Sequence, residues 1–191
     1  MPSSLADDVR QSAREAYRSV PNFLEAMTEH TGIPGAIYVA ADETLIEGLL
    51  SPAEQQTVLL VLSEHHNSRY DAVAHARLAL NAGLPPHTVE RLLADQSPQD
   101  ERLQALVDAT RQTCDDRGWL DPDTIQDLEE RGVSRGELYE IFALHGMKTF
   151  SSFVNHIADP ELDPPLKSTE ETLDNVPEEP STMEMRRLVF G

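Results

Sequence analysis

Cysteine is nearly absent from this 191-residue chain, and lysine is almost as scarce. One cysteine, Cys114, excludes an intrachain disulfide and removes any vicinal dithiol. Only Lys148 and Lys167 are lysines, the other thirteen basic residues being arginines, against 34 acids. The resulting formal charge of −19 argues against nucleic acid and anionic membrane surfaces as partners, because both would be repelled. Such a balance fits a salt-adapted proteome, and equally an acidic protein from a GC-rich genome. No apolar run reaches the length of a membrane span, and the first twenty residues lack the basic and apolar regions of a signal peptide. The expectation is a cytoplasmic protein. Also missing is any convincing run of alternating polar and apolar residues, which excludes a sheet-based fold.

Helix punctuation is abundant instead. Ser51-Pro52-Ala53-Glu54 reads as a capping box with proline at the first helical position, where a missing N–H costs nothing. Ser97-Pro98-Gln99-Asp100 repeats that logic with a shorter acid, Asp121-Pro122 opens another helix, and Ser134-Arg135-Gly136-Glu137 is a further box. Gly83, Gly118 and Gly132 stand where helices should stop. The apolar spacing predicts helices at about 5–18, 22–30, 36–48, 52–66, 69–83, 86–94, 98–116, 122–131 and 135–158. The fold class is all-α, with 52–66 and 69–83 as a central antiparallel pair in a domain spanning residues 1–158. Residues 159–191 form an acidic, proline-rich C-terminal extension that cannot bury enough apolar area to order itself alone. It ends in an apolar hook of Met183, Met185, Leu188, Val189 and Phe190, which suits either a disordered tail or an arm docked on its own or a neighbouring subunit.

Residues 51–84, SPAEQQTVLLVLSEHHNSRYDAVAHARLALNAGL, carry the chemistry. Asp71 and His75 lie four residues apart and share a helix face that continues through Leu78, Ala79 and Ala82, so carboxylate and imidazole should point inward. Three readings are open for this pair: an acid/base site, a structural ion pair, or part of a metal site completed by His65, His66 or His145. No multi-ligand spacing such as HExxH supports the metal reading, so no metal ligand set is assigned. His65 and His66 close a helix, where they meet the favourable end of its dipole. His145 reads as a core or interface histidine, Trp119 as a local packing anchor, and Tyr70 as a packed ring whose hydroxyl finds a partner. Cys114, beside Asp115 and Asp116, reads as an inert packing residue whose thiolate is disfavoured.

The same segment resembles the core motif of the alkylhydroperoxidase D (AhpD) / carboxymuconolactone decarboxylase superfamily. In that motif an acidic residue on one helix precedes Cys-x-x-Cys-x-x-x-His at the start of the next. Against it, Gln56 stands at the acid, Ser68 and Asp71 at the two cysteines, and His75 at the histidine. Tyr70, Ala74, Ala76 and Gly83 match its usual accompaniment. The helix around VSRGELYEIFALHGMKTFSSFVNHIADPELDPP is similar to the family's closing helix and its Phe-x-Asn ending, so the likeness spans roughly residues 20–165. It implies an AhpD-like all-helical domain that self-associates as a trimer or hexamer. The apolar content of 36–48 and 135–158, beyond what one small core needs, is compatible with this.

Without thiols, peroxidase chemistry of that family is not expected, because a serine cannot attack a peroxide as a thiolate does and an aspartate cannot resolve a sulfenic acid. The decarboxylase branch does not depend on the cysteine pair. By that resemblance His75 would act as general acid or base with Asp71 supporting it, and Gln56 and Ser68 would hydrogen-bond a carbonyl or carboxylate of a small carboxylated or lactone-like molecule. Tyr70, His65 and His66 are the candidate substrate-binding residues, the two histidines supplying positive charge that Arg69 and Arg77 do not arrange into a clamp. No cofactor is implied. Two alternatives stand beside this lyase: a non-catalytic ligand-binding or scaffold member, and a residual redox protein using Cys114, which would have to be exposed and near His75.

Overall fold

The computed structural model describes residues 4–174, and within them the chain folds into ten helices and no strand. They are α1 (Leu5–Tyr17), α2 (Asn22–Glu29), α3 (Ile33–Leu45), α4 (Pro52–His65), α5 (Arg69–Asn81), α6 (Pro86–Leu93), α7 (Glu101–Asp115), α8 (Pro122–Glu130), α9 (Arg135–Ala158) and α10 (Pro164–Asp174).

Local sequence explains most boundaries. The Ser51/Glu54 and Ser134/Glu137 capping boxes form with both reciprocal bonds, as does one at Ser4/Asp7 that opens α1. Asp121 caps α8 through the backbone N–H groups of Asp123 and Thr124. Gly83, Gly118 and Gly132 take positive φ of 92°, 77° and 88°, a left-handed conformation that ends each helix cheaply only for glycine. Two expected starts move. α3 begins three residues earlier than the spacing suggests, with Pro34 in its first turn. α7 begins after Asp100, whose carboxylate accepts from the Leu103 N–H, so Ser97-Pro98 lie outside the helix. The acid lies next to the first turn, where it can reach a free N–H, and Ser97 does not.

Helix α4 is the axis of the molecule. Every residue from Thr57 to Ser63 is buried, and α5, α6, α7 and α9 all pack on it. A helix apolar on all sides must be enclosed on all sides, which is why TVLLVLS shows no amphipathic stripe. Its most extensive partner is α5, reached through a tight turn in which Asn67 adopts φ 51°. One core gathers α1–α4 and α7–α9 around Leu24, Met27, Leu62, Leu106 and Ile141; a second joins α4, α5, α6 and α7 around Leu60, Val89 and Leu92.

Arg102 on α7 links the two capping boxes. Its guanidinium donates to Glu54 at 2.7 Å and to Glu137, and also to the Gly132 carbonyl at 2.6 Å. The starts of α4 and α9 are thereby held to one side chain. Trp119, expected to anchor a turn, is 87% exposed and anchors nothing among the described residues.

Beyond α9 the chain turns at Asp159 and α10 packs on α5, with Leu162 and Leu166 buried against Tyr70 and Val73. Composition alone predicts no helix there; the surface of α5 beneath it supplies the apolar partners. The hook from Met183 to Phe190 lies outside the described residues.

Replacing Arg102 by Met should cost about 1–2 kcal/mol, since it frees two partly buried carboxylates at once. Urea unfolding of the variant against wild type checks this, and an unchanged midpoint would show that the cap linkage contributes nothing.

Candidate functional site

The turn between α4 and α5 brings Asp71 into the interior facing α9. Asp71 is 3% exposed, and Lys148, its partner from α9, is wholly buried. The ammonium donates to Oδ1 at 2.8 Å, while Oδ2 accepts from Ser68 at 2.7 Å and from Ser152 at 2.8 Å. Burial alone would push this carboxyl up, but the adjacent ammonium and the hydroxyl donors hold it at about 2. Asp71 is therefore ionised and saturated with donors. The Tyr38 ring lies 5.9 Å from Lys148 Nζ and closes the site above it.

His75 lies one turn further along α5, 4% exposed. Its Nδ1 is 2.9 Å from Gln56 Oε1 on α4. With that carbonyl as acceptor, Nδ1 carries the proton and Nε2 keeps its lone pair. Burial, and then the charge of Lys148, hold the imidazole well below its ordinary pKa of 6.5, Asp71 opposing them. The ring is neutral at physiological pH.

Gln56, Asp71 and His75 line a cavity of about 660 Å³, a volume suited to a small-molecule ligand. Its walls are largely apolar and aromatic, with Phe23, Tyr38, Tyr70, Leu59 and Met147 prominent. Phe23 and Tyr38 meet edge to face with ring centres 5.0 Å apart. Leu78, expected inside, is 46% exposed and stands in the cavity wall, whereas Ala79 is fully buried. The start of α10 contributes Asp163 to Leu166 to one side. Tyr70 donates its hydroxyl to Asp163, and Arg77 donates to the Pro165 carbonyl at 3.2 Å and to Thr169 at 3.1 Å. Arg77 thus holds α10 in place.

The structure brings together Gln56, Ser68, Tyr70, Asp71 and His75, with Ser68 behind Asp71 and away from the cavity wall. His65 and His66 lie elsewhere. His66 packs between His65, His145 and Phe153, at ring separations of 5.2, 5.8 and 5.8 Å, and approaches the Thr149 hydroxyl at 3.3 Å. Burial, then the neighbouring imidazoles, lower His66 to about 4. Neither histidine is among the residues lining the cavity. No group of three or more metal-ligating side chains comes together among the described residues. Cys114 is buried in α7, where burial and Asp115 push its thiol up to about 11, and it does not line the cavity.

Lys148 is the site residue that the reading of the sequence missed. A signal was present. Ile141, Leu144, Lys148, Ser152 and Asn155 fall at spacings of three, four, four and three on one helix face. A lysine midway along a core-facing stripe has to meet a buried acid, and Asp71 is the one with matching orientation.

No family model and no curated protein matches this sequence. Solved structures do match. The alkylhydroperoxidase AhpD core, an uncharacterized peroxidase-related protein from Ralstonia eutropha JMP134, superimposes with a TM-score of 0.75 at 18% identity, over 86% of this chain and 91% of that one. An uncharacterized peroxidase-related protein from Silicibacter sp. TM1040 gives 0.72 at 18% identity, over 84% and 85%. The debrominase Bmp8 in complex with 2,3,4-tribromopyrrole gives 0.67 at 14% identity, over 87% and 90%. The chain has the AhpD-like fold.

Lys148→Met should destabilise the protein by about 3–5 kcal/mol, because it strands a buried carboxylate, and Lys148→Met/Asp71→Asn should recover much of that loss. A double-mutant cycle in urea measures the coupling; strictly additive effects would mean that the pair is not a unit.

Proposed function

We propose that this chain is a thiol-independent member of the AhpD-like / carboxymuconolactone decarboxylase superfamily, a cofactor-independent acid/base enzyme acting on a small carboxylated or lactone-like molecule. The observation that carries the reading is the Gln56–His75 couple on the wall of the 660 Å³ cavity: a neutral imidazole, fixed at one nitrogen and unprotonated at the other. Held this way, Nε2 is unprotonated at neutral pH and serves as a weak base toward a carbon acid beside a carbonyl. The Gln56 amide N–H₂ and the Tyr38 hydroxyl, both on residues that line the cavity, would donate to the oxygen on which negative charge develops. Asp71, spent on Lys148 and two serines, acts on His75 through its field rather than by contact. With positive and negative charge cancelled beneath the cavity, the site suits a largely apolar ring with a carbonyl group better than a polyanion.

The second reading, a ligand-binding or scaffold member without catalysis, draws support from the low exposure of His75 and from the completeness of the network behind it. Under either reading the protein self-associates. Tyr139, Ala143, Gly146, Phe153 and Ile157 repeat at helical spacing on the outer face of α9, and Ile33 and Ile37 do so on α3, which packs beside it. Tyr139, Phe153 and Ile157 are 65%, 53% and 90% exposed, and Gly146 has nothing within 4 Å of where a Cβ would stand. Such a face favours coverage by another copy of the chain.

In a thermal-shift screen of small carboxylated lactones and ring acids, a hit should raise the melting temperature of wild type and not of His75→Ala. Turnover of that hit should fall by about 10²–10⁴-fold in the variant. Because the folded pKa of His75 lies below 6.5, the acid limb of the rate profile should also lie below pH 6.5. Hits that bind the variant equally well would exclude His75 from the site. For assembly, Phe153→Glu/Ile157→Lys should reduce the mass measured by light scattering to that of one chain; an unchanged mass would move the interface off α9.

A further inference from the structure

A second, smaller cavity of about 260 Å³ opens at the start of α5, on the other side of Tyr70 from the first. Asn155 from α9 lines it, is only 5% exposed, and has both Nδ2 and Oδ1 buried without a hydrogen-bond partner. A buried amide with neither end satisfied is rare in a folded protein and calls for something to bind it. The same cavity meets an uncapped helix. Ser68 is the N-cap of α5, but its hydroxyl donates to Asp71 and accepts nothing from the first turn. The N–H groups of Arg69, Tyr70 and Asp71 have no acceptor within the helix, and the positive end of its dipole is left open there.

We infer that this cavity, built by Asn155 and the open first turn of α5, is a binding site for a phosphate-type oxyanion that carries an O–H. The chemistry of the two walls selects the ligand. The helix N-terminus and Asn155 Nδ2 donate, so the ligand presents several acceptor oxygens with negative charge. Asn155 Oδ1 accepts, so the ligand also carries a donor. Hydrogen phosphate and phosphate monoesters at the acid end of their range meet both demands; sulfate and carboxylates meet only the first. Arg69 stands at the same cavity, its guanidinium fixed by two bonds to Glu170 at 2.8 and 2.9 Å, and His156 adds an exposed imidazole at the rim. Asp159, also at the cavity, opposes an anion and Glu170 already balances Arg69, so the attraction rests on the α5 N-terminus and the Asn155 amide. The buried carboxylate of Asp71 does not oppose an anion, because Lys148 neutralises it.

The test is a ¹H–¹⁵N NMR titration of the full chain with inorganic phosphate at constant ionic strength, with sulfate and chloride as controls. Saturable downfield shifts of the Arg69 and Tyr70 amide protons and of the Asn155 side-chain amide are expected, with sulfate at least several-fold weaker. A small phosphate monoester run in parallel distinguishes the sources: tighter binding than phosphate assigns the site to an esterified ligand, weaker binding to the free ion. Asn155→Leu and the isosteric Asn155→Asp should each weaken binding tenfold or more while the remaining spectrum stays folded. Equal, non-saturating responses to all three anions would overturn the proposal, and so would wild-type affinity in either Asn155 variant. Since His75 takes no part, His75→Ala should bind phosphate as wild type does, which separates failure here from failure of the acid/base reading.

Discussion

The ion pair between Lys148 and Asp71 is the constraint on which the rest of the site depends. An ammonium with no exposed surface and a carboxylate almost as deeply buried are tolerable only together, with further donors on the carboxylate. That requirement explains the composition around them. The inner face of α9 is apolar from Leu138 to Met147 and turns polar from Lys148 to Asn155, where it meets α5. Ser68 and Ser152 are small enough to sit beside the carboxylate and polar enough to donate to it. The pair ties α5 to α9 one turn before His75.

Its second effect is electrostatic. Asp71, one turn from His75, favours imidazolium; burial, and then the charge of Lys148, outweigh it. A neutral histidine, oriented by the Gln56 amide, is the outcome. This arrangement differs in kind from a thiol centre. The single cysteine lies in another part of the core, where burial and Asp115 push its thiol up to about 11.

Helix α5 serves two cavities, its His75 turn facing one and its uncapped first turn the other, with Tyr70 common to both. The Tyr70 hydroxyl is bound to Asp163, and α10 is tied down further by Arg69 and Arg77. The segment that forms one side of the larger chamber is thus attached to the same helix that carries His75, through polar bonds laid over the small apolar contact of Leu162 and Leu166. A change at either cavity has a short physical route to the other through this helix.

The sequence by itself determined the local structure. Capping boxes at Ser51 and Ser134, the Asp121-Pro122 start and the stops at Gly83, Gly118 and Gly132 are written in side chains that satisfy nearby backbone groups, so they are legible without the fold. The four-residue spacing of Asp71 and His75, and the motif around them, also put Gln56 and Ser68 in the right company. Only the tertiary structure decided what these residues touch. Lys148 is 77 positions from Asp71, and its pairing follows from the packing of α5 and α9 on the same helix, α4. His65 and His66 close the helix that carries Gln56, yet neither reaches the cavity, and His66 packs against His65, His145 and Phe153. α10 has too little apolar surface to announce itself, and becomes a helix because α5 offers Tyr70 and Val73 beneath it. Contacts within four residues are set by the chain's own geometry; contacts across tens of residues are set by which faces the whole domain must bury together.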